Sequence, residues 1–399
     1  MCPWLFLSVC FLMGMTTTQA DAPTVVSSSA DYQFGSRLEF TAAVHSGESI
    51  RQAFLVAQDD GSAPVRLPVE ISFDKDCLLL AVWDLTAAPV FPFSRMEYWW
   101  EMETESGTKF ASAKQTIEYA DDRFTWRELD QGRANLHWIE GSAGDAEDTV
   151  NLILLSLGSV SADLATPIPE KIRVYVYPRL ADLHAGLGTS VRGWEGAVSD
   201  PASATILVAA APGADGRRSL AILLPHEIVH ILLGSKWQPA SLHLPDWLVE
   251  GLAASYEMDS RPELDHLLKD SLTSGNLIPL SALCRAFPSE ESPALLAYAE
   301  SRSFVSFIRS QYGLEGIRRI LDDYDEGSPC QDGVTGFTGK NLDDLEREWI
   351  NSQTGRNPSS PVPAGVFMAG GVGILLVILL AGWVVRRRRE NQTPKGMEL

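Results

Sequence analysis

An uncharged apolar run of 22 residues near the C-terminus, at 364–385, constrains the folding of this chain more than any other feature. A helix of this length is long enough to cross a lipid bilayer. Four consecutive arginines at 386–389 follow at once, and such clusters stay on the cytoplasmic side of a membrane. We therefore expect one transmembrane helix at 364–385, a basic cytoplasmic tail at 386–399, and the preceding bulk of the chain outside the cell.

The N-terminus carries a shorter apolar run at 4–15, which is followed by the small residue Ala20 and then by Asp21. This pattern predicts a secretory signal peptide at 1–20, although the usual basic start is missing and an uncleaved anchor is the alternative. Residues 353–363 contain proline and serine and are expected to form a stalk linker. Together, these segments predict a single-pass protein of the cell membrane.

The charge of the chain limits the partners that it can bind. The 399 residues include 52 acidic and 32 basic side chains, and the net charge of −20 divides into −23 up to residue 385 and +3 from residue 386 onward. Recognition of nucleic acid requires clustered lysine and arginine, so the acidic excess argues against a nucleic-acid partner. The predicted outer region also lacks an Asn-x-Ser/Thr acceptor for glycosylation, which favours a bacterial cell surface.

The cysteines beyond the predicted signal peptide are too few for a disulfide scaffold. Cys284 and Cys330 flank one helical region and can pair in an oxidising compartment, whereas Cys77 lies alone in a strand-like apolar setting. The sequence leaves open whether this pair forms a disulfide.

Residues 21–120 have the pattern of a β-sheet domain. Short runs of alternating polarity are separated by turns, and Met96, Tyr98 and Trp100 share one face of such a run, opposite Glu97. The spacing predicts an antiparallel β-sandwich of immunoglobulin type. We expect this domain to act as a spacer or a recognition module.

Residues 121–352 change to a mixed pattern. Strands are predicted at 135–139, 171–178 and 204–212, and helices are predicted at 145–164, at 179–186 and from about Arg218 to a stop at Gly234. Only helices follow, at 245–258, 262–270, 278–286, 291–312, 314–323 and 341–352. Strands with helices, followed by helices alone, indicate an α+β domain with two lobes.

The residues that carry chemistry lie on the predicted helix at 218–234. His226 and His230 are four residues apart, so both imidazoles project from one face, at the separation that a single Zn²⁺ requires. Glu227 stands beside the first ligand, where it can take a proton from the attacking water. The alternative is a helix whose two histidines are merely solvated or hydrogen-bonded.

A third metal ligand is expected from the next predicted helix. Glu250 lies 20 residues beyond His230, on a helix that starts near Asp246 and can pack against the first one. Asp246 or His243 is an alternative ligand, but neither has the motif context of Glu250.

The joint pattern of H-E-x-x-H at 226–230 and W-x-x-E-G-x-A at 247–253 resembles the gluzincin metallopeptidases, and more narrowly the bacterial peptidase MA-like family. The resemblance extends over 121–352, including closing helices at 296–313 and 341–349. It implies a thermolysin-like two-lobed α+β domain, a Zn²⁺ cofactor and a peptide or protein substrate. It also implies that the strand at 204–212 offers an edge to which an extended substrate adds.

The same resemblance implies an oxyanion-stabilising donor beyond the glutamate ligand. Tyr298 is the candidate, because it stands where members of the family show a tyrosine, and Tyr256 and His266 are its rivals.

Two positions depart from the pattern of the family. Pro225 directly precedes the first ligand and removes one helical hydrogen bond, so that it starts or kinks the helix. Ala254 stands where thermolysin-type enzymes carry an aspartate that supports a zinc-binding histidine, so this support must come from elsewhere.

Two functions follow from these features. The first is a membrane-anchored, outward-facing zinc metallopeptidase. The alternative is a non-catalytic cell-surface binding or adhesion protein, in which the β-sandwich makes the contacts and the zinc domain is an inert scaffold. The sequence does not choose between an endopeptidase and an aminopeptidase.

Overall fold

A computed structural model describes residues 23–59, 62–73, 77–188, 191–237 and 244–355. The predicted signal peptide, the transmembrane helix, the cytoplasmic tail and most of the stalk lie outside these residues. Within the described ranges, no helix is both long and apolar enough to cross a membrane. Of the described residues, those up to Trp349 belong to one compact unit.

The first part of the chain forms two antiparallel sheets. Their strands are Thr24–Gln33 (β1), Arg37–His45 (β2), Ile50–Asp59 (β3), Val65–Pro68 (β4), Glu70–Phe73 (β5), Cys77–Asp84 (β6), Ser94–Thr104 (β7), Lys109–Ala111 (β8) and Gln115–Tyr119 (β9). One sheet has the order β1-β2-β6-β5 and the other β4-β3-β7-β8, with β9 also paired to β7. This is the strand order of immunoglobulin-type sandwiches.

The core of the sandwich lies between the two sheets. Because side chains alternate between the two faces of a strand, every second residue of β7 is buried, and Met96, Tyr98 and Trp100 face inward as predicted. They pack into a core cluster with Phe40 of the opposite sheet and Leu55 of the same sheet. The predicted alternation is therefore confirmed in this strand.

The second part of the chain is built around a mixed sheet. Its strands are Arg127–Gln131 (β10), Ala134–Trp138 (β11), Ile172–Tyr177 (β12), Ala197–Asp200 (β13) and Thr205–Ala209 (β14). The order is β10-β11-β12-β14-β13, with parallel pairs in the middle and antiparallel pairs at both ends. The predicted strand at 204–212 therefore lies inside the sheet, and the expectation that it offers a free edge is wrong. The edge strand next to it is β13, and β10 forms the opposite edge. The strand β13 was not predicted, because four residues carry almost no periodicity.

Helices surround this sheet and then continue alone. They are Ala143–Leu164 (α1), Leu180–Leu187 (α2), Ala214–Lys236 (α3), Asp246–Ser255 (α4), Pro262–Ser274 (α5), Glu291–Asp325 (α6), Thr335–Thr338 (α7) and Leu342–Gln353 (α8). The helices α1 and α3 pack against each other and against the sheet, and α3 also contacts α4. Thus α3 connects the sheet to the helical part, and a mixed α+β fold is confirmed.

Several helix bounds differ from the predictions. The helix α3 runs through Gly234 to Lys236. This glycine does not end the helix but allows Pro201 to approach it closely. A Cβ atom at Gly234 would lie 2.3 Å from Cβ of Pro201. The predicted helix at 278–286 is reduced to a 3₁₀ turn at Leu280–Cys284. By contrast, the predicted break before residue 314 is present, since Gly313 adopts a φ of 69° within α6.

Aromatic side chains join the sandwich to the mixed sheet. The ring of Phe93 stacks on the ring of Tyr175 in β12, with 3.5 Å between the ring centroids. The hydroxyl of Tyr177 donates a hydrogen bond of 3.0 Å to Asp121, which also pairs with Arg123 at 2.6 Å. The sandwich is therefore packed against the sheet through a defined interface.

The cysteine question left open by the sequence has an answer in the structure. Cys284 and Cys330 form a disulfide, with 6.0 Å between their Cα atoms, and Cys77 is free. The bridge ties the 3₁₀ turn before α6 to the turn that follows it.

Candidate metal centre

The helix α3 presents His226 and His230 on one face. Their ring centroids are 5.0 Å apart, as expected for residues one turn apart. Their side chains are 12% and 20% exposed, because apolar neighbours such as Ile228 and Leu232 bury the rest of the helix. Both imidazoles are therefore accessible from one side only.

The helix α4 brings Glu250 to the same place. Gly251 permits this, because a Cβ atom there would lie 2.5 Å from the backbone oxygen of Ser301 in α6. Oε2 of Glu250 lies 3.4 Å from Nε2 of His226 and 3.7 Å from Nε2 of His230. Potential ligand atoms of all three residues lie within 4.8 Å of one another.

These three side chains fit a metal ion. Oε2 of Glu250 is buried and makes no hydrogen bond to any described residue. A buried carboxylate oxygen without a donor is costly unless a cation neutralises it. Two imidazole nitrogens and one carboxylate oxygen are also a ligand set of catalytic zinc sites, which keep a fourth position open.

The electrostatics of the cluster also fit a metal ion. Burial lowers the pKa of His226, but the carboxylates of Glu250 and Glu257 outweigh burial and raise this pKa to about 10. Burial raises the pKa of Glu250, but His230 and His226 hold this pKa below its usual value. The centre therefore favours positive charge next to ionised carboxylates, which is the environment that a divalent cation also requires.

Glu227 lies on the inner side of the same helix and is 6% exposed. Its Oε2 accepts a hydrogen bond of 2.6 Å from Oγ of Ser199, in the edge strand β13. This contact keeps the buried carboxylate satisfied and oriented. The sequence did not single out Ser199, because its strand was not predicted.

Glu257 contacts the first histidine from the other side. Its Oε1 lies 3.3 Å from Nδ1 of His226, and its side chain is 3% exposed. It takes the supporting position that Ala254 cannot fill. The sequence analysis missed this residue, although an acidic side chain seven residues after Glu250 is a signal that a search by helical spacing would find.

Tyr298 of α6 lies across the site. Its ring centroid is 5.9 Å from that of His226, and it lines, with His226 and Glu227, a cavity of about 360 Å³. Burial, followed by the charges of Glu250 and Glu195, raises the pKa of Tyr298 far above its usual value. Its phenol therefore stays protonated and remains a hydrogen-bond donor.

The alternatives considered for these roles lie elsewhere. Tyr256 donates a hydrogen bond of 3.0 Å to Asp163, and His266 is exposed on α5. Neither lines the cavity. Asp246 begins α4 outside the cluster of potential ligands, and His243 lies outside the described residues.

Comparison with protein families supports this interpretation. The Peptidase MA superfamily matches residues 156–355, which are 200 of the 399 residues and include the whole metal centre. The chain therefore belongs to the Peptidase MA superfamily. This membership supports a metallopeptidase, and thus a hydrolase. A comparison with curated protein sequences finds no match.

Solved structures of zinc metallopeptidases match the chain at low identity. A mutant M1 zinc metallopeptidase from Deinococcus radiodurans is 14% identical, covers 82% of this chain and 92% of its own, and has a TM-score of 0.40. A structure of such a mutant bound to a Tyr-Ser-Ala substrate is 14% identical, covers 86% and 96%, and has a TM-score of 0.39. Identities and TM-scores at this level transfer neither activity nor substrate to this chain.

Proposed function

We propose that this protein is a membrane-anchored extracytoplasmic zinc metallopeptidase that hydrolyses peptide bonds. The observation that carries this proposal is a cluster of three side chains, beside the carboxylate of Glu227. The potential ligand atoms of His226, His230 and Glu250 lie within 4.8 Å of one another. The family to which the chain belongs gives independent support.

His226, His230 and Glu250 would hold the zinc ion. When bound, zinc supplies Lewis acidity, which lowers the pKa of water and polarises the scissile carbonyl group. The hydrophobic neighbours of α3 limit access of bulk water, which strengthens these electrostatic effects.

Glu227 acts as the general base in this proposal. Its carboxylate takes a proton from the attacking water and passes it to the leaving amine. Ser199 holds one carboxylate oxygen at 2.6 Å, so the other oxygen remains available for the proton.

Tyr298 acts as the oxyanion donor. Since its phenol keeps its proton, it can donate a hydrogen bond to the oxygen that becomes negative in the transition state. Its position in the wall of the cavity places it on the same side as Glu227.

The edge strand β13 is the proposed platform for the substrate. Among the residues that the structure describes, it pairs with β14 alone, and its first residue, Ala197, lines the cavity. An extended peptide can add to such an edge as a further strand, through backbone hydrogen bonds. The scissile bond would then lie between Glu227 and Tyr298.

The proposed location depends on sequence features alone. The predicted signal peptide at 1–20, the predicted transmembrane helix at 364–385 and the arginines at 386–389 would orient the protein with its metal centre outside. The immunoglobulin-type sandwich would act as a spacer or a recognition module.

The test uses the full-length chain purified in detergent. We expect about one zinc per chain and chelator-sensitive cleavage of a broad peptide library. Glu227→Gln should keep its zinc and lose about 10²- to 10⁴-fold in kcat, the usual contribution of a general base. Unchanged hydrolysis in this variant would contradict the assigned base. Zinc binding without cleavage of any peptide would favour the inert binding scaffold.

A further inference from the structure

The helix α3 contains a proline at a position where helices rarely tolerate one. Pro225 is buried in the middle of Ala214–Lys236 and directly precedes the ligand His226. A proline inside a helix has no N–H to donate, so the carbonyl group four residues earlier loses its helical partner. In this helix that carbonyl belongs to Ala221.

The carbonyl group of Ala221 has a different partner. It accepts a hydrogen bond of 2.9 Å from the backbone N–H of Met258, which lies beyond the end of α4. Met258 is 51% exposed as a residue, and the neighbouring Asp259 forms a second contact with α3, an ion pair of 3.1 Å with Arg218. The gap left by Pro225 is thus filled by the segment that carries Glu257.

This backbone bond places Glu257 against the outer nitrogen of His226. Oε1 of Glu257 lies 3.3 Å from Nδ1 of His226, while Nε2 faces Glu250 on the inner side. Arg261 lies 3.6 Å from the same Oε1, whereas Oε2 of Glu257 is buried and makes no hydrogen bond to any described residue. The side-chain contacts of Glu257 hold only one of its two carboxylate oxygens. The backbone bond of the adjacent Met258 therefore helps to fix the position of Glu257.

We infer that Pro225 is a positioning residue, which frees the Ala221 carbonyl so that Met258 docks there and Glu257 orients His226 for metal binding. A carboxylate that accepts a hydrogen bond from Nδ1 fixes the ring and directs Nε2 to the metal. The inference depends on the proposed zinc site. It explains why a costly proline stands next to a ligand and how support is supplied without the missing aspartate at 254.

Zinc affinity of the full-length protein, measured by competition with a chelator, tests the inference. Glu257→Ala should lose about 10- to 100-fold in affinity, as is typical when the partner of a ligating histidine is removed. Pro225→Ala restores an N–H that competes with Met258 for the Ala221 carbonyl. Like Glu257→Ala, this variant should bind zinc more weakly than the wild type. Its thermal stability should stay equal or rise, since alanine favours helix.

Further variants separate positioning from general damage. The double variant Pro225→Ala/Glu257→Ala should bind zinc no more weakly than Glu257→Ala alone, because both changes remove one contact. Met258→Ala keeps the backbone N–H and should bind zinc like the wild type. Wild-type affinity in Pro225→Ala, or losses that simply add in the double variant, would overturn the inference.

A metal-independent measurement distinguishes this inference from the proposed function. In the zinc-free protein, NMR of the His226 ring should show a hydrogen-bonded Nδ1 proton that Pro225→Ala and Glu257→Ala both abolish. If the wild type binds no zinc but shows this signal, the proposed function and the role in metal binding fail, whereas the positioning of the His226 ring by Pro225 and Glu257 stands. If the wild type binds zinc and Pro225→Ala leaves the signal unchanged, only the positioning role fails.

Discussion

Oγ of Ser199 donates a hydrogen bond of 2.6 Å to Oε2 of Glu227, and this bond links the edge strand β13 to the proposed catalytic base on α3. The strand that would receive the substrate therefore also orients the group that would activate water. A substrate that binds to β13 would be held by the same element that holds Glu227.

Replacing Ser199 tests this relationship. Ser199→Ala should lower kcat by about 10- to 100-fold, since a hydrogen bond to a charged group contributes about 1.5–3 kcal/mol. Zinc content and KM should not change, because Ser199 is not a metal ligand and its backbone remains. Ser203→Ala is a nearby control, whose hydroxyl bonds to Thr205 at 2.9 Å. A rise in KM at constant kcat would show that Ser199 binds substrate instead.

Tyr298→Phe tests the oxyanion donor. Removing a preorganised donor typically costs about 10²- to 10³-fold in kcat, and zinc binding should stay intact. Because burial raises the pKa of Tyr298, the wild type should show no loss of activity from its ionisation at moderately alkaline pH. Tyr256→Phe is the matched control and should retain activity, since Tyr256 bonds to Asp163 outside the cavity. Loss of activity in Tyr256→Phe but not in Tyr298→Phe would assign the donor role to Tyr256.

A buried carboxylate predicts a pH dependence of stability. Glu300 is 0% exposed and accepts hydrogen bonds of 3.1 and 3.2 Å from the N–H of Ile278, and burial raises its pKa from 4.5 to about 8. The folded state then holds a proton that the unfolded state releases above 4.5, so wild-type stability falls as pH rises from about 4.5 to 8. Glu300→Gln removes this titration and should gain on the order of a few kcal/mol over the wild type across that range.

Thermal unfolding at pH 5 and pH 8.5 checks this prediction. The advantage of Glu300→Gln should be present at pH 8.5 and nearly absent at pH 5. Glu348→Gln is an exposed control in the same region, with a side chain 44% accessible, and should show no such gain. An equal difference at both pH values would contradict the assignment to Glu300.

The disulfide should contribute to stability by restricting the unfolded chain. Cys284 and Cys330 are 46 residues apart, a separation for which the chain-entropy estimate is about 4 kcal/mol. The double variant Cys284→Ser/Cys330→Ser should therefore unfold at a clearly lower temperature. Cys77→Ser removes the free cysteine and should leave the unfolding temperature unchanged. Equal midpoints for the double variant and the wild type would show that the bridge adds no stability.

Much of the fold was predictable because its signals are local. The burial of Met96, Tyr98 and Trp100 follows from a two-residue period, and the extent of α1 follows from a 3.6-residue period. The edge strand was not predictable. β14 is buried and almost wholly apolar, as is typical of a strand flanked on both sides, whereas β13 is a short strand with two apolar and two polar residues.

The candidate site likewise contains residues that the sequence predicted and residues that it did not. The spacing of His226, Glu227 and His230 along one helix places two imidazoles together regardless of the rest of the chain, and the motif around Glu250 pointed to the next helix. Their roles in metal binding and catalysis remain predictions. Ser199 was out of reach, because its strand was not predicted and it bonds to a residue 28 positions away. Glu257 had a local signal in its spacing from Glu250, but its contact with His226, 31 positions away, arises only from the packing of the helices.

The sequence by itself determined the paired histidines, the adjacent glutamate, the disulfide candidates and the course of most helices and strands, because these depend on neighbours within a turn or two. Only the tertiary structure decided which strand forms the edge, which carboxylate supports His226 and why Pro225 is tolerated. These features depend on backbone groups and side chains that are distant in the chain and meet only when α3, α4 and the sheet pack together.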